Sequence, residues 1–249
     1  TTEIYTLSLH DALPIYSRKI LWLEVSTTNN DPRVIAKYFV TYVRECKGVP
    51  YIMRGDYGTE NTNIAAIQRF LRRECEDSLA GFKSFMYGRS VTNQRIESWW
   101  SVLRKTNTDW WIKYFRDMRD IGLYNDDDPL QVECLRFCYM DVLRKELHQV
   151  AKEWNVHRIR PSSNDESPPG KPDVLYSIPA TTNTRSYIIA VQDDDLEVAE
   201  QLCREAPSSQ QFSDLANIIM EANNLSMPES VEQARRLYID LMSEINANR

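Results

Sequence analysis

Apolar and polar residues alternate with two distinct periods along the chain. Residues 18–26 (RKILWLEVS) form an apolar run bounded by a Thr-Thr-Asn-Asn stretch, which predicts a buried strand. Asp31 followed by Pro32 is a helix start: the aspartate caps, and proline at the first helical position sacrifices no hydrogen bond. Val34, Ile35, Tyr38, Phe39, Tyr42 and Val43 then recur at helical spacing as far as Gly48. Val49 to Met53 predicts a second short strand, ending in the turn-like Gly55-Asp56-Tyr57-Gly58.

Ile64, Ile67, Phe70 and Leu71 mark the next helix, and Phe82 to Met86 a further short strand before a polar Gly-Arg-Ser loop. From Thr92 a long helical stretch runs through Glu97, Trp100, Leu103 and Trp111, with a kink expected near Thr106-Asn107-Thr108 and a stop at Gly122. Leu130 to Trp154 is another amphipathic helix. The run RIRPSSNDESPPGKP from Arg158 is loop by composition, and Tyr187 to Val191 is one more strand. Three helical pieces close the chain, at about 196–204, 212–223 and 231–245, so the class is α/β with a helical tail.

Composition sharpens this picture in three places. Five scattered cysteines without a Cys-x-x-Cys indicate neither a disulfide framework nor a zinc site. No apolar run approaches the roughly 18 residues needed to span a bilayer, so no membrane partner and an intracellular setting are expected. The net charge of −6 argues against a uniformly basic surface, yet the charge is unevenly spread. Between Gly81 and Lys105 five basic residues face the single acid Glu97, whereas Ala190 to Arg249 carries twelve acids against four basic residues.

Two segments offer chemistry. Arg54-Gly55-Asp56-Tyr57-Gly58-Thr59-Glu60-Asn61 follows a strand, and Asn93-Gln94-Arg95-Ile96-Glu97-Ser98 opens a long helix. Carboxylates from different elements can hold hard divalent ions, and an ion pair about 3.5–4 Å apart activates the attacking oxygen and stabilises the leaving one. Gly58 lets the backbone turn closely after Asp56. Taken singly, an Asp beside glycines is usually a turn former and a Glu early in a helix usually serves the macrodipole. Of the tryptophan pairs Trp99-Trp100 and Trp110-Trp111, at most one member each can face a groove while the other packs inside.

The arrangement of these motifs resembles a known family. GDYGTEN resembles the Asp-x-Gly-x-Glu/Asn segment of retroviral integrases and DDE transposases, and NQRIESWWSVLR their Gln-x-x-x-Glu-Ser helix. Trp154-Asn155-Val156-His157-Arg158-Ile159-Arg160 followed by PPGKPDVLY resembles the segment closing such cores. SRKILWLEVSTTNNDP, NQRIESWW and VECLRFCYMD are similar to eukaryotic, transposon-related integrase core domain proteins, over roughly residues 16–180.

The resemblance implies an RNase H-like mixed sheet flanked by helices, its first strand missing or replaced, plus an acidic helical C-terminal appendage. It implies a core over residues 16–185 and an extension over 186–249. Asp56 and Glu97 take the second and third places of an acidic triad that binds two Mg²⁺ or Mn²⁺ ions. Asn93, Gln94, Arg95, Arg104 and Lys105 are expected at DNA, with Gly58, Glu60, Asn61 and His157 in support; for the lone His157 a structural hydrogen bond is the commoner role. The family's opening Trp-x-x-Asp strand is not matched: residues 1–15, TTEIYTLSLHDALPI, resemble translated sequencing-adapter sequence, and Asp11 is no stand-in.

The expected function is therefore metal-dependent phosphoryl transfer on DNA in the nucleus, inactive in this chain for want of the first carboxylate. The alternatives are a domesticated nucleic-acid- or protein-binding module, whose acidic helices after Ala190 dock a partner and can be deleted without unfolding the core, and a nuclease that cleaves without joining. A homo-oligomer is compatible with each.

Overall fold

The computed structural model describes residues 3–4, 7–12, 14, 16–88, 94–161 and 168–247. Strand β1 (Glu3–Ile4) and β2 (Leu7–Ala12) form a hairpin that pairs antiparallel with β3 (Trp22–Ser26), Leu9 opposite Val25 and Asp11 opposite Leu23. A strand therefore stands where the sequence suggested one missing or replaced. Because side chains alternate across a strand, β3 feeds two cores. Trp22 joins the cluster around helix α1 (Pro32–Cys46), and Leu23 and Val25 join the one around α5 (Pro129–Val156).

Helix α1 starts as expected: the Asp31 carboxylate accepts from the Arg33 amide at 2.9 Å, with Pro32 at the first position. It ends on Lys47 in the left-handed region (φ 50°). Gly48 serves a different purpose. It opens β4 (Gly48–Pro50), which pairs antiparallel with β7 (Ile188–Ala190), and a Cβ there would stand 2.8 Å from the Ile189 carbonyl oxygen.

One strand was expected over Val49 to Met53. The chain instead leaves β4 after Pro50, the Tyr51 amide still reaching Tyr187 O at 2.7 Å, and forms β5 (Met53–Gly55) separately. β5 continues through a 3₁₀ turn (Thr59–Asn61) into α2 (Thr62–Leu71), and a second 3₁₀ turn (Gly81–Ser84) leads to β6 (Phe85–Tyr87). β5 and β6 pair in parallel, Met53 with Phe85 and Gly55 with Tyr87. Among the described residues the expected single mixed sheet is thus three small sheets, because strands of three residues carry too few ladder bonds to extend one another.

The end of α2 sets this parallel pair. Gln68 Nε2 donates to Pro50 O at 2.6 Å ahead of β5, and Arg69 donates to the Phe82 and Phe85 carbonyls at 3.3 and 3.5 Å beside β6. The fully buried Arg72 side chain grips Asp77 with Nη2 at 2.8 and 2.7 Å.

After β6, α3 (Gln94–Leu103) passes through a π turn (Arg104–Thr108) into α4 (Asp109–Asp120). The kink expected here is this wide turn, where Thr106 Oγ1 donates back to Val102 O at 2.9 Å and the buried Asn107 donates to Glu146. Gly122 (φ 74°) closes α4: its amide reaches Arg119 O and that of Leu123 reaches Met118 O, both at 2.9 Å, which is a Schellman stop.

Helix α5 runs about 42 Å at 1.5 Å per residue and lies along β3. Its last turn is locked to the approach to β3: Asn155 Oδ1 accepts from the Ile20 amide at 2.7 Å, Asn155 Nδ2 donates to Ile20 O at 2.9 Å, and Trp154 Nε1 donates to Arg18 O at 2.7 Å.

The last sixty residues pack against both cores. After the short helix α6 (Pro172–Ser177), helix α7 (Asp193–Glu200) supplies Leu196 and Ala199 to the core around α1. Helices α8 (Gln210–Ala222) and α9 (Val231–Ala247) supply Phe212, Ala216, Leu237, Tyr238, Leu241 and Ile245 to the core around α5. A boundary near residue 185 would separate β7 from β4. Asp193, Asp194 and Glu197 stay exposed on α7.

Candidate functional site at the β5–β6 edge

Where two parallel strands are joined through a helix, the loops leaving their carboxyl ends lie together and make the natural crevice of an α/β sheet. Here the exits are in direct contact, the Gly88 amide donating to Gly55 O at 2.9 Å. Asp56 follows β5 immediately and is half-buried. Its Oδ1 accepts from the Gly58 amide at 3.1 Å and from Asn61 Nδ2 at 2.7 Å, so the carboxylate is held in one orientation.

Two glycines make room for this turn. A Cβ on Gly55 would meet Phe85 Cζ at 2.9 Å and Asn61 Cγ at 3.4 Å, pushing on the residue that orients Asp56. Gly58 has φ −60°, open to any residue, so the turn does not need glycine for its torsion; a Cβ there would collide with the Glu60 carboxylate, which folds back over it. Asn61 precedes α2 with its backbone already helical (φ −83°, ψ −4°) and makes no side-chain capping bond, and its side-chain nitrogen donates to Asp56.

Glu97 lies in the first turn of α3 and is exposed. Two residues on, about 200° around the helix, Trp99 is buried and its ring sits 4.5 Å from that of Trp154. The helix is thereby anchored to α5 with Glu97 left facing solvent. Asp56 directly follows β5, whereas Glu97 stands ten residues beyond the end of β6, in α3. Among the described residues no group of three or more His, Cys, Asp or Glu side chains gathers as a metal cluster.

Asn93 lies outside the described residues, as do the side chains of Gln94 and Arg95. Arg104 is exposed and pairs with Asp109 at 3.0 Å, which offsets its charge; Lys105 is exposed on the same π turn. His157 caps the end of α5, with Nδ1 against Trp154 O and its ring 4.4 Å from that of Trp154, a structural placement. Of the tryptophan pairs, Trp111 is buried and Trp110 is 52% exposed, whereas Trp99 and Trp100 both pack against the core.

Sequence reasoning passed over the neighbours of Asp56. Tyr57 stacks on Tyr87 with centroids 5.5 Å apart, and the Arg54 guanidinium lies over Gly88. The signal was the parallel register, which puts residues 54–57 beside 86–88 and which no local pattern reveals.

Oxygen donors from Asp and Glu suit Mg²⁺ or Mn²⁺ better than softer metals. The oriented Asp56 carboxylate fits such an ion as one ligand.

A small α/β core with an oriented acid at the carboxyl edge of a parallel pair belongs to the broad class that builds sites where strands end. The comparison with protein families is specific: a family model described as integrase core domain matches residues 4–171, and the chain belongs to that family. The match begins ahead of residue 16, taking in β2, and stops short of residue 180. Membership carries an RNase H-like fold and a polynucleotidyl-transferase-like function. No curated protein and no solved structure matches the chain. No helix among the described residues is long and apolar enough to cross a membrane.

Proposed function

We propose that the chain is an integrase or transposase core that carries out metal-dependent phosphoryl transfer on DNA, with Asp56 and Glu97 as two of its metal-holding carboxylates. The observation carrying this reading is the orientation of Asp56 by Asn61 and Gly58 at the shared exit of β5 and β6, in a chain of the integrase core family. The family's Mg²⁺ or Mn²⁺ pair, when bound, supplies charge neutralisation and an activated oxygen. The residues' own work is geometric. Asn61 and the Gly58 amide fix the Asp56 carboxylate through Oδ1, and Trp99 holds α3 so that Glu97 stays on its open face.

The chain as it stands is proposed to be inactive in strand transfer, since residues 1–15 contain no Trp-x-x-Asp strand. The test replaces residues 1–15 with such a strand and measures Mn²⁺-dependent nicking of duplex DNA. Nicking should appear, and Asp56→Asn and Glu97→Gln should each remove it; nicking unaltered by both substitutions would end their assigned roles. A nuclear setting follows from the same reading, and a reporter fusion checks it.

A further inference from the structure

Beside Asp56 runs a ledge in which rings and cations alternate. Tyr57 and Tyr87 stack at 5.5 Å with 15° between planes. The Arg69 guanidinium lies 3.9 Å from the Phe82 ring centre, 5.9 Å from that of Phe85 and 5.7 Å from that of Tyr87. Arg54 covers Gly88 so closely that a Cβ there would stand 2.5 Å from its Nε. The ledge is nonetheless open, with Tyr57 71% and Phe82 76% exposed. Lys83 and Arg54 are exposed along it.

An exposed tyrosine whose inner face is held by another ring is already ordered, so a ligand that stacks on its outer face loses little extra freedom. A flat π-face flanked by guanidinium and ammonium groups is the pairing that takes up a nucleobase and its neighbouring phosphates. A base inside intact duplex is covered on both faces by its neighbours and cannot use such a platform. An unpaired base can. We propose, resting on the DNA reading above, that Tyr57 is a stacking platform for an unpaired base next to the reacting phosphate, and that the chain selects DNA with forked or single-stranded ends over blunt duplex.

The experiment uses the full chain in EDTA at fixed salt, with a forked duplex carrying 2-aminopurine as its unpaired base and a blunt duplex of the same sequence, read by fluorescence quenching and anisotropy. The forked DNA should bind more tightly and be quenched. Tyr57→Ala should weaken forked binding by about five- to a hundred-fold and abolish quenching, the range expected for one lost base stack. Tyr57→Phe and Trp110→Ala should leave it unchanged, and blunt binding should not respond. Equal binding of the two DNAs, or forked binding indifferent to Tyr57→Ala in a protein with unaltered circular dichroism, overturns the platform. The two readings fail separately: Asp56-dependent nicking by the chain with residues 1–15 replaced, together with Tyr57-independent binding, sinks only the platform, and Tyr57-dependent binding without Asp56-dependent nicking in that repaired chain sinks only the chemistry.

Discussion

Replacing Asn155 with alanine removes both hydrogen bonds that the last turn of α5 makes to the backbone of Ile20. Ile20 is 2% and Asn155 8% exposed, so solvent does not readily replace the amide. Each orphaned buried backbone group costs about 1–3 kcal/mol, and the pair therefore roughly 2–6 kcal/mol. At about 2–4 °C per kcal/mol for a chain of this size, the melting temperature should fall by roughly 4–24 °C. Asn155→Asp is the sharper probe. It retains an acceptor for the Ile20 amide but sets a carboxylate oxygen against the Ile20 carbonyl, so it should destabilise rather than rescue. His157→Ala, at an exposed cap, should change stability by no more than about 0.5 kcal/mol. Urea unfolding followed by tryptophan fluorescence reads all three. An Asn155→Ala midpoint within error of the parent would refute the argument that this motif clamps the core, and a large loss in His157→Ala would move its importance to the imidazole.

Gly55→Ala should cost about 1–3 kcal/mol by overpacking against Phe85 and, in the chain with residues 1–15 replaced, should lower Asp56-dependent nicking further than the stability loss explains, since its Cβ also presses on Asn61; nicking that merely tracks stability would count against the orienting role. The Asp77 carboxyl is held below its ordinary value: partial burial raises it, but the Leu79 amide, the Arg72 guanidinium and the Tyr51 hydroxyl together lower it further. Its contribution is therefore complete above about pH 4, the unfolded carboxylate value, and is lost as pH falls through the depressed folded value, so Asp77→Asn should flatten the acid limb of a stability–pH curve. Leu241→Ala, at a fully buried position of α9, should cost about 2–5 kcal/mol, and removal of residues 191–249 should cost the core around α5 its cooperative unfolding. A truncated chain that melts as sharply as the parent would restore the tail as a separable module.

Where the pattern spoke plainly, the structure follows it, and the reason is local. Asp31-Pro32 caps α1 through a side-chain bond to the backbone at 2.9 Å, and Asp128-Pro129, a pair the sequence pattern did not single out, caps α5 in the same way at 3.0 Å. Gly122 stops α4 because the stop needs a left-handed residue. The packing of the tail was not legible, for the same reason that these were. Its charge is local and visible, but the residues that bind α8 and α9 to α5 are spaced like those of any amphipathic helix and do not say which core they enter. Leu237, Tyr238 and Leu241 read equally well as the inner face of a separate bundle.

The site divides along the same line. Asp56 and Asn61 are five residues apart, and their bond could be anticipated from a turn motif. Tyr57 against Tyr87 and Arg54 over Gly88 join positions some thirty residues apart, brought side by side only by the parallel register of β5 and β6. That register is set from outside the strands by Gln68 and Arg69 at the end of α2, whose side chains hold the backbone approaching both. A three-residue strand cannot choose its neighbour from its own sequence, because a slip by one residue leaves its few ladder bonds nearly as good while turning every side chain over. The helix that crosses between the strands makes the choice, which is why the surroundings of Asp56 are legible in the fold and silent in the motif that contains it.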